Sequence, residues 1–441
     1  MERILRRVLA SAPLFLLLLV NLNLHNVNAI VPAPAPDQIQ PIAITGAIIH
    51  IGNGGVIGDG VITFNEGIIT AVGSASDGIN LQGHLVLNLQ GQHIYPGFVL
   101  PNTVLGLEEV GSIRATQDVL EEGDINASVR SAIAYNTDSE MIPTQRFNGI
   151  LTAQSTPQGG LISGSSSVFK LDGWNWEDAM LVEDVGMHMH WPALRIRRRS
   201  PETGLFETTD NEDYEAQTQL LHSLFQAAQT YTGEPLNLNL VAMQPVINGS
   251  GKLFVHVDQA KEIISAIRFA RSYGVEEIVL VGGAEAMQVV DFLTTQDIPI
   301  IYERIHELPM QAWHDVDAPF KTPFLLHDAG LKVGIGGGAT SLDRQRNLPF
   351  FAGTAAAYGL DRETALSLVT LNSAEILGVA DRVGSLEVGK DATLFISEGD
   401  ALDMRTSQVL GAYIQGRDID LYGTQQELYE RFREKYANQI E

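Results

Sequence analysis

The sequence predicts an α/β chain, a (β/α)8 TIM-type barrel joined to a small composite β-sandwich. Two observations predict the barrel. After residue 90, strand-like apolar runs alternate with helix-length amphipathic runs at a repeat of roughly 25 residues, the pattern of βα units around a parallel sheet. Runs such as "IVLV" (278–281) are apolar on both faces, as strands enclosed by helices must be. A third observation predicts the sandwich: period-two alternation broken by Gly and Asn occurs near both ends, over residues 42–92 and 384–422.

The elements follow in order. Residues 1–29 combine a basic "MERILRR", an apolar "VLASAPLFLLLLV" and "NVNA", which sets small residues at Val27 and Ala29; together they predict a secretory signal peptide. The apolar run is short for a membrane span and no stop-transfer pattern follows. "IVPAPAPDQIQ" marks a Pro-rich linker over 30–41. "AITGAIIHIGNGG", "GVITFNEGIITAVG" and "LVLNLQG" supply the first part of the sandwich, with "NEG" as a hairpin turn. The barrel is expected over 93–383. Its second half runs from the strand "KLFVHVD" through the helix "QAKEIISAIRFARSYG" to the strand "EEIVLVGG". The helix "AEAMQVVDFLTTQ", the strand "IPIIYERI", the helical "TPFLLHDAG", the strand "LKVGIGGG" and a helix near 347–358 complete it. "VGSLEVGKDATLFISEGD" and "VLGAYIQGRDIDL" return to β character over 384–422. Residues 423–441 then form a helix with Leu, Phe and Tyr on one face.

Composition narrows the function classes. With 441 residues, 45% of them hydrophobic, the chain can bury one large core and a smaller one. It has no cysteine, which excludes a disulfide framework, a thiolate metal site and a thiol nucleophile. An exported chain without disulfides points to a bacterial periplasm. Removing the leader takes away three Arg and one Glu, so 25 Lys and Arg face 52 Asp and Glu and the net charge moves from −25 to −27. Such a surface repels nucleic acid and anionic lipid, so neither a nucleic-acid partner nor stable membrane insertion is expected. The one basic cluster, "RIRRRS" at 195–200, is expected to be a loop paired with neighbouring acids rather than a polyanion site.

Three segments, "GAIIHIGNGGVIGDGVITFNEGIITAVG", "YPGF" and "LNSAEILGVADRVGSLEVGKDATLFISEGD", stand in an order and spacing that resemble the imidazolonepropionase-like branch of the amidohydrolase superfamily. The resemblance implies a barrel with one or two divalent metals at the C-terminal ends of its strands. There a metal-bound hydroxide attacks an amide-like carbon. It also implies His-x-His on strand 1, a Lys or Glu on strand 4, histidines on strands 5 and 6, and an Asp on strand 8 that doubles as general base. In "FVLPNTVLG", Asn102 and Val104 stand at the two histidine positions and Leu100 at the preceding Asp. His256 in "LFVHVD" stands at the strand 5 position. Gly283 stands at strand 6, Gly338 closes the glycine run at strand 8, and Asp343 follows five residues later. Lys170 in "SSVFKLDGW" is the strand 4 candidate.

The chain therefore reads as a variant without the His-x-His motif, in which His256 is the one family-position ligand retained. Zinc takes about four ligands, usually about three from protein. No cofactor is expected, and zinc or another divalent metal would need a rebuilt site. His188-x-His190 offers two imidazoles on one strand face, but its place beside the basic cluster favours coincidental spacing. The catalytic candidates are His256 and Asp343. Asn102, Val104, Glu108, Arg114, Arg146, Lys170, Gly283 and Gly338 are candidates to line the pocket. Arg114 and Arg146 could clamp a carboxylate or form structural ion pairs. Trp174 and Trp176 could form a pocket wall, and His306 and His314 fall in a loop over the barrel mouth. No GxSxG elbow is present.

Two readings stand. One is a hydrolase acting on a non-peptide carbon–nitrogen bond of a small amide or cyclic amide. The other is a catalytically silent small-molecule-binding protein or partner subunit of an active homologue, a pseudoenzyme. A homodimer, or pairing with a homologous amidohydrolase, is a family-level expectation.

Overall fold

The structure is a computed structural model, and it describes residues 33–200, 203–338 and 342–437. The expected leader (1–29) lies outside the described residues.

The N-terminal β-region contributes β1 (Ile42–His50), β2 (Val56–Asn65), β3 (Ile68–Ser74), β4 (Leu85–Asn88) and β5 (His93–Pro96). The barrel strands are β6 (Phe98–Thr103), β7 (Ile150–Ser155), β8 (Ile162–Lys170) and β9 (Met180–His190). A two-stranded hairpin, β10 (Arg195–Arg199) and β11 (Phe206–Asp210), interrupts them. The barrel then resumes with β12 (Lys252–Val257), β13 (Ile278–Gly282), β14 (Ile300–Tyr302) and β15 (Val333–Ile335). The C-terminal return adds β16 (Leu394–Ser397), β17 (Val409–Ile414) and β18 (Arg417–Ile419).

The two β-rich ends form one hydrogen-bonded sheet of order β18-β17-β16-β5-β1-β2-β3, with β4 also paired to β1. The join between the ends is β5 against β16, antiparallel, with Pro96 opposite Leu394. Its apolar side packs Ile44, Ile49, Ile62, Phe64, Ile94 and Leu394 together. Gly97 separates β5 from β6, so "YPGF" is where the chain leaves this sheet and enters the barrel. A Cβ at Gly97 would come within 2.9 Å of the Leu151 side chain and 3.0 Å of Thr393, and glycine permits that approach.

The barrel sheet has the order β15-β14-β13-β12-β9-β8-β7-β6. All neighbours are parallel except β7–β8 and β8–β9, so β8 alone runs the opposite way. The expected βα repeat fails here for a length reason. The connections 156–161 and 171–179 are shorter than the dozen or so residues that a parallel crossover needs, so both close as hairpins. Between β15 and β6 the seam is bridged by chain: Val99 N–H donates to Val369 O at 2.8 Å and Ile335 N–H to Leu368 O at 3.0 Å. The barrel is thus nearly closed.

Residues alternate in and out along each strand. Val168, Phe254, Val279, Val281 and Ile301 fill an apolar inner layer, plugged by Ala374, Ile376, Leu377, Val379 and Val383. The outward set, including Leu100, Leu253, Leu280, Ile300 and Val333, packs in the main core, which also takes in Ile263, Ile267 and Phe269 of the helix Ala260–Ser272. "RIRRR" is the strand β10, paired with β11, and not a loop; Arg195–Asp210 (3.5 Å) and Arg198–Asp213 (3.4 Å) supply the expected local pairing with acids. Among the described residues no helix is long and apolar enough to cross a membrane.

One buried ion pair ties these parts together. Asp172, just after β8, accepts from Arg146 Nη1 at 3.3 Å and from the Ala35 backbone N–H at 3.3 Å, with Arg417 at 3.8 Å. Burial pushes the Asp172 carboxyl up and the Arg146 guanidinium down, so each charge depends on the other. Removing one partner strands a buried charge. Asp172→Ala is expected to lower stability by about 3–5 kcal/mol, read as a fall in the urea midpoint at unchanged slope; an unchanged midpoint would contradict the pairing.

Candidate functional site

Above the apolar layer, the inward positions of the same strands turn polar. β6 carries a backbone irregularity here: its register against β7 shifts between Leu100 and Thr103, and Asn102 adopts φ 50°. Asparagine tolerates this left-handed conformation better than most residues. Its backbone N–H donates to Gln154 Oε1 on β7 at 3.0 Å, and its side-chain Nδ2 donates to Glu303 Oε1 at 2.7 Å. Glu303 directly follows β14. Gln154 Nε2 then donates to Ser166 Oγ on β8 at 2.8 Å. Ser166 Oγ meets His188 Nε2 on β9 at 2.7 Å, and His188 Nδ1 meets His256 Nε2 on β12 at 2.8 Å. One chain of hydrogen bonds runs from a carboxyl to a pair of imidazoles around the barrel wall.

The backbone amide of Asn102 can only donate, and this sets the direction of the chain. Gln154 must turn Oε1 to it and offer Nε2 to Ser166. The Ser166 proton then goes to His188 Nε2, His188 donates from Nδ1, and His256 carries its proton on Nδ1. This proton assignment satisfies each link with neutral rings. Neutrality follows from burial, which holds His188 and His256 well below the usual histidine range; nearby His190 adds to the effect. His190 stacks on His256 with ring centroids 4.1 Å apart, bonds Ser163 Oγ at 3.0 Å, and is pushed down to about 4 by burial.

Asn102, Gln154, Ser166 and His188 are sealed in the wall, whereas His190, His256, Asp258 and Glu303 keep part of their surface open at the C-terminal strand ends. Burial pushes Glu303 up to about 8, with repulsion from Asp258 and Glu307 adding; the Asn102 and Gly338 hydrogen bonds oppose the rise without cancelling it. Burial also raises Asp258, whose carboxylate accepts from the Ala284 N–H at 3.0 Å. A Cβ at Gly336 would meet Glu303 Oε1 at 2.8 Å, so the glycine run just after β15 leaves room for that carboxyl. The rim is charged: Arg304 and Arg344 approach Glu307 at 3.0 and 3.5 Å, and His314 approaches Glu285 at 3.4 Å.

The sequence-expected residues divide sharply. Asn102 and His256 meet in this chain. His188 and His190 do too, against the expectation of coincidental spacing, because β9 ends at His190 in parallel register with β12, His256 opposite His190. Val104 is buried in the main core. Lys170 ends the reversed strand β8, so it lies at the opposite face and donates to Gln415 Oε1 at 2.7 Å, not at a strand 4 ligand position. Arg146 is the structural ion pair described above. Arg114 is exposed and donates to the Gln117 carbonyl at 2.5 Å, and Glu108 forms backbone bridges to Leu105 and Gln117 in the same loop. Asp343 sits exposed on the one-turn helix Leu342–Gln345. Gly283 donates its N–H to Val257 O, and Gly338 accepts from Gln345 Nε2 at 2.6 Å. Trp174 and Trp176 fall on the β8–β9 connection, away from the mouth. Glu303, Gln154 and Ser166 were missed; the one available signal was a glutamate closing the apolar strand "IPIIYE".

A metal of the kind the resembled family holds does not fit these residues. Among the described residues no group of three or more His, Asp or Glu is placed to hold a metal ion. His188 uses both ring nitrogens inside the chain, Gly282 ends β13, and Gly336 directly follows β15.

A family model described as the amidohydrolase family matches residues 335–418. Solved structures share the fold along the chain. An amidohydrolase from Thermotoga maritima is 21% identical, with a TM-score of 0.75 over 86% of this chain and 99% of its own. A Xaa-Pro dipeptidase with methionine bound in its active site is 13% identical, with a TM-score of 0.53 over 86% and 100%. An adenosine deaminase from Xanthomonas campestris with bound zinc is 15% identical, with a TM-score of 0.52 over 92% and 100%. No curated protein matches the chain.

The raised carboxyl of Glu303 has a consequence for stability. Between its ordinary value of 4.5 and about 8, the folded state keeps a proton that the unfolded chain has lost. Stability therefore falls as pH rises through that window and levels off above it. The buried histidines act in the opposite sense below 6.5. The difference between wild type and Glu303→Gln isolates the carboxyl: relative to wild type, the variant should gain stability between about pH 5 and about pH 9 in urea titrations. A difference that does not change with pH would contradict the assignment.

Proposed function

We propose that this chain is an exported protein of the amidohydrolase superfamily that hydrolyses a non-peptide carbon–nitrogen bond of a small amide or cyclic amide. In this reading, acid–base chemistry by Glu303 and His256 stands where a metal-bound hydroxide would act. The observation that carries it is a buried carboxyl at the C-terminal end of a barrel strand, pushed up to about 8 by that burial and linked by hydrogen bonds to a neutral imidazole pair. A carboxyl displaced toward neutral pH at this face is what general acid–base catalysis needs, and burial keeps the His256 ring neutral and able to donate.

The two groups divide the work. Ionised Glu303 takes a proton from water as the water oxygen bonds to the carbonyl carbon. The Nδ1–H of neutral His256 donates to the carbonyl oxygen as negative charge gathers there, as a neutral imidazole can. Protonated Glu303 then returns the proton to the departing nitrogen, the carbon–nitrogen bond breaks, and acid and amine leave with Glu303 restored. β12 and β14 flank β13, so the two groups stand roughly 10 Å apart at strand spacing, with room for substrate and water between them.

A second reading, a silent small-molecule-binding barrel or partner subunit, is favoured by Asn102, Val104, Gly283 and Gly338 at positions where the resembled family places ligands.

Ammonia or amine release should be followed with a panel of small amides and lactams, before and after chelator dialysis. Activity is expected to survive chelation, with zinc well below one equivalent, and kcat/KM should rise with pH to a plateau above about 8. Glu303→Gln should lower kcat/KM by about 10²- to 10⁴-fold. One tightly held zinc, lost on His256→Ala, would overturn this mechanism. Ligand binding without turnover by any amide would favour the second reading.

A further inference from the structure

The connection 303–317, between β14 and the helix Ala318–Asp328, is long for a βα loop and has no helix or strand of its own. It starts in the mouth at Glu303 and is drawn back to the end of β13 by His314, whose Nε2 lies 3.4 Å from Glu285 Oε1. β13 is the strand between His256 on β12 and Glu303 after β14, so the loop reaches across the gap that separates the two groups. Its ends are pinned. Arg344 Nη2 donates to the His306 carbonyl at 3.1 Å, His306 Nε2 meets Thr354 Oγ1 at 2.7 Å, and Lys321 pairs with Asp315 and Asp317 at 2.8 and 3.0 Å.

Between those pins the loop is apolar and loosely held. Leu308 is 80% exposed, Trp313 76% and Val316 78%. Three large apolar side chains held out to water in one loop beside a binding face mark a surface that something covers. The tether at the tip is slack: among the described residues, His314 Nε2 forms no hydrogen bond, and the backbone bond within 308–314 is the local one from His314 N–H to Gln311 O at 3.1 Å. The charges at the mouth limit what the loop can cover. Asp258, Glu285, Glu303 and Glu307 gather there, and Arg304 and Arg344 are both engaged by Glu307, at 3.0 and 3.5 Å. A carboxylate on the ligand would meet repulsion at such a rim, whereas an apolar group would not.

We propose that the barrel mouth takes amides bearing an uncharged apolar chain, and that the 303–317 loop closes on that chain through Leu308 and Trp313. The inference rests on the reading of the mouth as the hydrolytic site and names the substrate class of that site. Closure takes the exposed side chains and the ligand chain out of water together, which strengthens binding by about fourfold for each methylene fully covered.

Glu303→Gln, which the mechanism above makes slow, separates binding from chemistry. In that variant hexanamide should move tryptophan emission saturably to shorter wavelength as Trp313 is covered. Adipamate, the same chain ending in a carboxylate, should bind at least about tenfold more weakly, and Trp313→Phe in the same background should remove the shift. In the wild type, kcat/KM for hexanamide should exceed that for acetamide by about 10- to 100-fold, the burial of roughly two to three methylenes. Trp313→Ala should cut that ratio about tenfold, through KM. A saturable Trp313 shift without turnover of any amide would sink the hydrolytic reading and leave the loop assignment standing. Turnover with hexanamide and adipamate used equally, absence of any emission shift, or a shift that survives Trp313→Phe would each overturn the loop assignment and leave the hydrolytic reading intact.

Discussion

The constraint on which this structure rests is that polar groups turned into a closed barrel must find partners on neighbouring strands. Water is scarce there, and an unpaired polar group costs about 1–3 kcal/mol. The inward layer of this barrel meets the constraint strand by strand, Glu303 to Asn102 to Gln154 to Ser166 to His188 to His256. Each link fixes the orientation of the next, so the two open ends of the chain are held in defined protonation states. The left-handed Asn102 is part of this: it is the residue whose backbone and side chain both donate, and its Oδ1 is left buried without a partner.

The reversal of β8 belongs to the same arrangement. Two short connections fold β7, β8 and β9 into antiparallel neighbours and bring the serines of β8 between Gln154 and the histidines of β9. A serine hydroxyl both accepts and donates, which is what a link between an amide N–H and an imidazole nitrogen requires. The reversal also carries Lys170, at the end of the third strand, to the face away from the mouth, while the fourth strand, β9, ends at the mouth with His190. On the other side of the barrel, Gly97 and the β5–β16 pairing hold the composite sheet against the first strand.

Much of the fold was legible because periodicity reports burial directly. The enclosed strands "LFVHV", "IVLVG" and "PIIY" and the β-rich ends fall where their alternation places them. The reversed strand was not legible, since an apolar run carries no direction; only the length of its connections does. The site was half legible. Asn102 and His256 stand out against the pattern they resemble; His188-x-His190 is visible too, but nothing in the sequence beside the basic cluster marks Met180–His190 as a barrel strand. Gln154 and Ser166 carry no sequence signal, because an amide or hydroxyl on a strand is informative only once its neighbours across the sheet are known. Glu303 depends likewise on Asn102, which lies 201 residues away in sequence.

The most direct test of this account is the side-chain ¹⁵N spectrum of the histidines across pH 5 to 8. The hydrogen-bonded chain predicts that His188 and His256 stay neutral throughout, both protonated on Nδ1. An imidazolium signal from either ring near pH 6, or an Nε2–H tautomer at His188, would contradict it.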